Sequence, residues 1–272
     1  MTARRYDTVS FLSDYGHADE FVGVVHSVIR SIAPHVVVID LVHDLAPFDV
    51  RGASLALSRA VQYVAPGIVL AVVDPGVATS RRAIAAEVGE DGEGVLIGPD
   101  NGLLGPAAMM SGGVTRAVEL TNPEYQLVAP GPTFAGRDIF APAAAHLAMG
   151  VPITELGPEL DPHTLVPSLI PLPRSEDGAI AGEVLWVDRY GNCQLNVDPG
   201  DADALGDVVG VRTGDEPRRS ARRVRAFGDL RTGQLGLLVD SYGLLSIVVP
   251  QASAATALGL EAGSSVRLEP LA

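Results

Sequence analysis

Pro66-Gly67-Ile68-Val69-Leu70-Ala71-Val72-Val73-Asp74-Pro75-Gly76 decides the fold. The run 68–73 has no polar face, so a strand built from it must be covered on both sides. Pro66-Gly67 stops what precedes it, and Asp74-Pro75-Gly76 ends it abruptly. Such a strand belongs at the centre of a largely parallel sheet between helical layers. The neighbouring sequence supplies those layers. Phe21, Val24, Val25, Val28, Ile29 and Ile32 recur at helical spacing, closed by Pro34. Val50, Ala53, Leu57, Ala60, Val61 and Val64 form a second stripe. Strands are predicted at Thr8–Ser13, 36–40, Ala83–Val88 and 95–97, and a helix at 139–149. The alternation predicts an N-terminal α/β layered domain over 1–167.

Beyond Pro171 the pattern changes. Short strand-like pieces at Ala179–Val187, 194–197, 208–212, 224–227, 235–238, 244–249 and 265–268 are separated by Gly and Asp turns, with no long helix between them. This predicts an all-β barrel or sandwich over 179–272, joined by a linker at 168–178.

The 272 residues are 47% apolar and 19% charged, which supports packed cores and excludes a disordered chain. A net charge of −14 argues against general nucleic-acid binding. All 19 basic residues are arginine, which excludes a lysine Schiff base and a Walker-A loop. Cys193 is the one cysteine, leaving no internal disulfide and no cysteine zinc site. The first residues reach polar side chains too soon for a signal peptide, and no apolar run approaches a membrane span. A soluble cytoplasmic protein is expected.

Three aspartates, Asp14, Asp40 and Asp74, fall at predicted strand ends, and Pro99-Asp100-Asn101-Gly102 follows another. One such aspartate is usually a turn former or a helix cap; several flanked by Gly or Pro point to a polar pocket. No His/Asp spacing is diagnostic of a metal, and none is expected; His43 beside Asp44 is the histidine best placed in a polar loop. Thr133-Phe134-Ala135-Gly136-Arg137-Asp138 opens a helix, where Gly136 would let backbone approach a ligand and the amides would favour an anion. An ordinary loop with Arg137 and Asp138 paired is the alternative. Asp188-Arg189-Tyr190-Gly191-Asn192 and Asp240-Ser241-Tyr242-Gly243 read as hairpin turns. The five arginines between 218 and 225 read as a solvated hairpin edge, with a partner-binding patch as the alternative. No G-x-S-x-G motif is present.

Taken in order, Phe11-Leu12-Ser13-Asp14-Tyr15-Gly16, Val72-Val73-Asp74-Pro75-Gly76, Arg81-Arg82, Gly98 to Gly102, Thr133 to Ile139, Asp188 to Asn192 and Ser241-Tyr242-Gly243 resemble the SAM hydroxide adenosyltransferase family, relatives of the SAM-dependent fluorinase and chlorinase. Any one piece is weak; the ordered set spans nearly the whole chain. The resemblance implies a homotrimer whose ligand lies between the N-terminal domain of one subunit and the C-terminal domain of its neighbour. It implies S-adenosyl-L-methionine plus water giving adenosine and methionine, with no cofactor. By motif position Asp14 would bind the ribose hydroxyls, Asp188 the methionine ammonium, Ser241 the carboxylate and Asn192 the adenine edge. Tyr190 and Phe134 would supply apolar surface. Tyr242 stands where halogenase relatives commonly carry arginine.

The resemblance also separates branches. Halogenases place tyrosine at the position of Asp74, whereas hydrolases place aspartate there and add an arginine, matched by Arg81. The hydrolase histidine of the Thr-Phe-His-Gly-Arg-Asp motif is here Ala135. A natural variant with another water-positioning group and an engineered low-activity form both account for that replacement. A halogenase and a non-catalytic SAM- or adenosine-binding protein are the competing readings.

Overall fold

Ile68–Val72 is a strand with every residue buried, as its unbroken apolar sequence requires. In the computed structural model, which describes residues 6–90, 92–168, 170–214 and 216–271, the chain divides into two compact units, Met1–Leu169 and Ile170–Ala272. The N-terminal residues 1–5, and Leu169 in the expected linker, lie outside the described residues.

In the first unit the elements run β1 (Thr8–Ser13), α1 (Phe21–Ile32), β2 (Val37–Val42), α2 (Val50–Val61), β3 (Ile68–Val72), β4 (Ala83–Val88), β5 (Gly94–Pro99), α3 (Gly105–Met110), β6 (Val114–Glu119), α4 (Ala141–Ala148) and β7 (Glu159–Leu160). They build a seven-stranded sheet ordered β2-β1-β3-β5-β4-β6-β7. The neighbours β2, β1, β3 and β5 are parallel, and the β4, β6 and β7 pairings are antiparallel. Alternation along β3 feeds two cores. Ile68, Leu70 and Val72 join Val9, Phe11 and α1 residues Val25 and Ile29 on one face. Val69 and Ala71 join Leu12, Leu57 and Ala107 on the other. Helices α1 and α4 pack together, as do α2 and α3. Each fully buried aliphatic side chain contributes roughly 1.5–3 kcal/mol through lost water contact, so β3 anchors the unit.

Two expectations are corrected here. The second strand runs to Val42, so Asp40 lies inside it rather than at its end. The helix expected at 139–149 begins earlier: Gly136–Phe140 is a π-helical turn that leads into α4. The helix α3 and strands β6 and β7 are additional elements.

The second unit contains β8 (Arg174–Glu176), β9 (Ala179–Val187), β10 (Cys193–Leu195), β11 (Val208–Thr213), β12 (Arg219–Arg223), β13 (Gly236–Val239), β14 (Leu245–Val248), α5 (Ala254–Leu258) and β15 (Ser265–Pro270). The order β10-β14-β13-β12-β11-β15-β9 closes through β9–β10 pairing into a seven-stranded barrel, and β8 adds to β9. Arg174–Glu176 thus brings a strand into the stretch expected as linker. Val184, Leu195, Val209, Leu237, Ile247 and Leu268 fill the barrel.

Closure overturns the reading of the arginine cluster as an edge. The strand β12 lies between β11 and β13, with Ala221 turned into the core. Its charged side chains find local partners instead: Arg223 pairs with Asp203 at 2.7 Å, and Arg219 donates to the Ala257 carbonyl at 2.9 Å. The strand expected at 224–227 is absent: Phe227–Asp229 forms a 3-10 turn, capped where Asp229 accepts the Ala226 amide. No helix among the described residues is long and apolar enough to cross a membrane.

Candidate active site

The chain leaves β1 at Ser13 and enters Asp14-Tyr15-Gly16. Asp14 Oδ2 accepts the backbone amide of Phe48 at 2.9 Å, and Phe48 adopts φ +69° with its ring exposed. A non-glycine residue held in the left-handed region marks a constrained backbone, here beside a carboxylate. Tyr15 is the hub of this end of the sheet. Burial raises its phenol above the ordinary range, and the charges of Asp14, Asp74 and Asp138 raise it further. Its neighbour Asp14, Asp74 beyond β3 and Asp138 of the 136–140 turn thus all act on this one phenol.

Asp74 follows β3, and the 74–81 loop returns Arg81 to it. Thr79 shapes that loop by donating to the Gly76 carbonyl at 2.6 Å and accepting the Arg81 amide at 3.3 Å. Arg81 Nε donates to Asp74 Oδ1 at 2.9 Å and Nη2 donates to Oδ2, a bidentate pair. The side chains are only 11% and 6% exposed, so the pair is shielded from solvent. Burial raises the Asp74 carboxyl above its ordinary value, although Arg81 and the Gly76 amide pull the other way. The Arg81 guanidinium lies 5.5 Å from the centre of the Phe140 ring.

Phe134 stands edge-on to Tyr15 and Phe21, with ring centroids 5.6 and 4.9 Å apart. Ala135 is buried at the entrance to the π-helical turn, an arrangement frequent at functional sites. Gly136 has a packing reason besides the one the sequence suggests. A Cβ there would lie 2.2 Å from the Tyr15 hydroxyl, so the glycine makes room for that side chain. Arg137 and Asp138 form an ion pair at 2.6 Å, the alternative reading of this loop. Asp100 is structural: it accepts from Arg82 at 2.9 Å and from the Val166 amide at 2.8 Å.

In the second unit, both expected hairpin turns form, and both use one device. Asp188 Oδ1 accepts the amides of Tyr190 and Asn192 at 2.8 and 2.9 Å, while Oδ2 accepts Asn192 Nδ2 at 2.7 Å. Asp240 Oδ1 accepts the Tyr242 and Leu244 amides at 2.8 and 3.2 Å, while Oδ2 accepts Gln194 Nε2 at 2.6 Å and Ser246 Oγ at 3.0 Å. Asn192 thus spends its amide donor inside its own loop. The Cys193 thiol after it is buried and raised to about 11 by burial and by Asp188, so it is an inert thiol. The loops border a cavity of about 510 Å³ whose lining includes Trp186, Tyr190, Asn192, Arg225, Ser241 and Tyr242. Trp186 and Tyr242 meet edge to face at 6.3 Å.

The structure therefore gathers Asp14, Asp74, Arg81, Phe134, Ala135 and Gly136 at one end of the first sheet, and Asp188, Tyr190, Asn192, Ser241 and Tyr242 at one cavity of the barrel. Sequence reasoning missed Tyr15 as a hub, and Trp186, Arg225 and Asp240 as cavity residues. Tyr15 and Asp240 lay within motifs already quoted, whereas no local signal marked Trp186 or singled Arg225 out of its cluster. Asp40, expected at the same end, instead engages His26 and His43.

The comparisons agree with the motif order. Residues 9–157 match the model of the SAM hydroxide adenosyltransferase N-terminal domain, and 182–267 that of its C-terminal domain. An (R)-S-adenosyl-L-methionine hydrolase of Salinispora tropica is 44% identical over 96% of this chain and 97% of its own. A fluorinase of Actinoplanes sp. is 27% identical over 98% of each. A crystal structure of a conserved protein from Thermotoga maritima superimposes with a TM-score of 0.88 at 37% identity, covering 96% of this chain and 99% of that one. The chain belongs to the SAM hydroxide adenosyltransferase family.

Proposed function

We propose that the protein hydrolyses S-adenosyl-L-methionine to adenosine and methionine by in-line attack of water on the ribose C5′. The observation that carries this reading is the shielded Asp74–Arg81 pair at the end of the central strand. Attack forms the C5′–oxygen bond and breaks the C5′–sulfur bond, so methionine leaves as a neutral thioether and needs no acid. Asp74 orients the water and takes its proton, and the carboxyl raised by burial is the better base for it. Arg81 stabilises the hydroxide character that develops. Hydroxide meeting sulfonium destroys charge, which a shielded site favours. The scheme uses no cofactor. A halogenase is disfavoured because the Asp74 carboxylate repels a halide.

Asp14 holds the ribose diol, since one carboxylate accepts from two hydroxyls, and Phe134 provides apolar surface. In the barrel cavity Asp188 keeps lone-pair capacity for the methionine ammonium and Ser241 donates to its carboxylate. Tyr190, Tyr242 and the Asn192 carbonyl face the nucleoside. Arg225, lining the same cavity, provides the cation that Tyr242 does not. In this reading the two sets meet across subunits of a homotrimer, in the cytoplasm, where a lone buried thiol is at home. Sedimentation velocity should give three chains, and mixing Asp14→Ala with Asp188→Ala subunits, assayed at a SAM concentration too low for either variant to bind well, should raise activity above that of either alone; a monomer, or no recovery on mixing, contradicts the shared site.

Ala135 offers the water neither donor nor acceptor, so turnover is low while binding is preserved. Restoring the family residue tests this: Ala135→His should raise adenosine release, by up to the ~10²–10⁴-fold typical of one acid–base group. No gain would remove position 135 from the reaction. Tight SAM binding without product in either form would instead favour a SAM-binding protein.

A further inference from the structure

We propose that His26, Asp40 and His43 form a binding site for one divalent transition-metal ion of the zinc type. His26 lies on α1, Asp40 within β2, and His43 just beyond that strand. Parallel pairing places Asp40 opposite Phe11 of β1. One ligand atom from each of the three residues falls within 4.8 Å of the other two. Both imidazoles use Nε2 toward one carboxylate oxygen: His26 lies 2.7 Å and His43 3.0 Å from Asp40 Oδ1.

The surroundings of His43 are those of a metal-ligating imidazole. Its ring is 1% exposed and packs 4.6 Å from the Phe11 ring centre. Its other nitrogen, Nδ1, sits 2.7 Å from Ser13 Oγ, which fixes the ring and leaves Nε2 facing Asp40. In the geometry shown Nε2–H donates to the Asp40 carboxylate and Nδ1 accepts from the Ser13 hydroxyl, and a metal ion would take Nε2 by switching the neutral ring to its other tautomer, with Nδ1–H then donating to Ser13. His26 and Asp40 are 34% and 42% exposed, which gives a cation and its remaining waters a way in.

Two imidazole nitrogens and one carboxylate oxygen suit zinc, cobalt or nickel rather than magnesium or calcium, which favour all-oxygen shells. The site is distinct from the Asp74–Arg81 pair. It is nevertheless tied to the Asp14 loop, because the Gly16 amide donates to the His43 carbonyl at 2.8 Å. An ion here would brace that loop from behind.

The test titrates the full chain, stripped with EDTA, with Zn²⁺ by calorimetry and with Co²⁺ by visible absorption. One saturable equivalent is expected, with a cobalt ligand-field band. His26→Gln and Asp40→Asn should each weaken binding by roughly tenfold or more, as lost ligands or ligand supports do. His26→Gln replaces a partly exposed helical side chain, so its circular dichroism and SAM hydrolysis without metal should match those of the parent. Absence of a saturable equivalent, or equal affinity in parent and variants, overturns the site and leaves a hydrogen-bonded triad.

Discussion

The two sets of site residues hold their carboxylates in opposite ways. Asp74 is nearly buried and gripped by another side chain, Arg81. Asp188 sits in a hairpin loop and is gripped by amides of that loop, and Asp240 is held by two amides of its own hairpin together with the Gln194 and Ser246 side chains. A charge pair placed out of solvent gains electrostatic strength and suits making or breaking bonds. Amide-held carboxylates fix the shape of a loop and present neighbouring side chains, which suits recognition. This contrast supports the proposal that the first unit carries the chemistry and the second the recognition.

The largest effect should come from Asp74→Asn, which keeps shape but removes the proton acceptor. Adenosine release should fall by ~10²–10⁴-fold, with SAM affinity in calorimetry changed little; equal loss in both would make Asp74 a binding residue and break the contrast. Asp188→Ala should do the reverse. It frees two amides and the Asn192 side chain, weakening SAM binding by about 1–3 kcal/mol with a smaller change in turnover at saturation.

The pH profile sharpens the comparison further. A raised carboxyl is ionised only above its raised value, so activity should disappear as pH falls through it, earlier than for an ordinary aspartate. Turnover measured between pH 4 and 8 should show that acid limb at saturating SAM; a flat profile would free Asp74 from the base role. The smallest effect is expected at the edge strand. Val37 on β2 is 60% exposed, so Val37→Thr should shift unfolding by no more than about 0.5 kcal/mol, whereas Leu70→Ala in β3 should cost about 2–5 kcal/mol. Urea unfolding of the two variants measures both.

What was legible followed from local pattern. The run 68–73 gave a central strand because its apolarity admits no exposed face, and the Asp188 and Asp240 turns were marked by their Gly and Asn neighbours. What escaped depends on long-range pairing. The arginines of β12 looked like an edge because closure of the barrel is a property of seven strands together. His26 and Asp40 are separated by 14 residues and meet only in the folded chain, where a side chain of α1 reaches one of β2. The reason for glycine at 136 that depends on Tyr15, which fills the space a side chain would need, is likewise not visible in sequence.

Water attacking C5′ is the core of the account, and isotope labelling reaches it directly. With SAM supplied in ¹⁸O-water, adenosine should carry one ¹⁸O at the 5′-hydroxyl and methionine none, as read by mass spectrometry. Adenosine without the label, or a 5′-halogenated nucleoside in place of adenosine when chloride or fluoride is present, would contradict it.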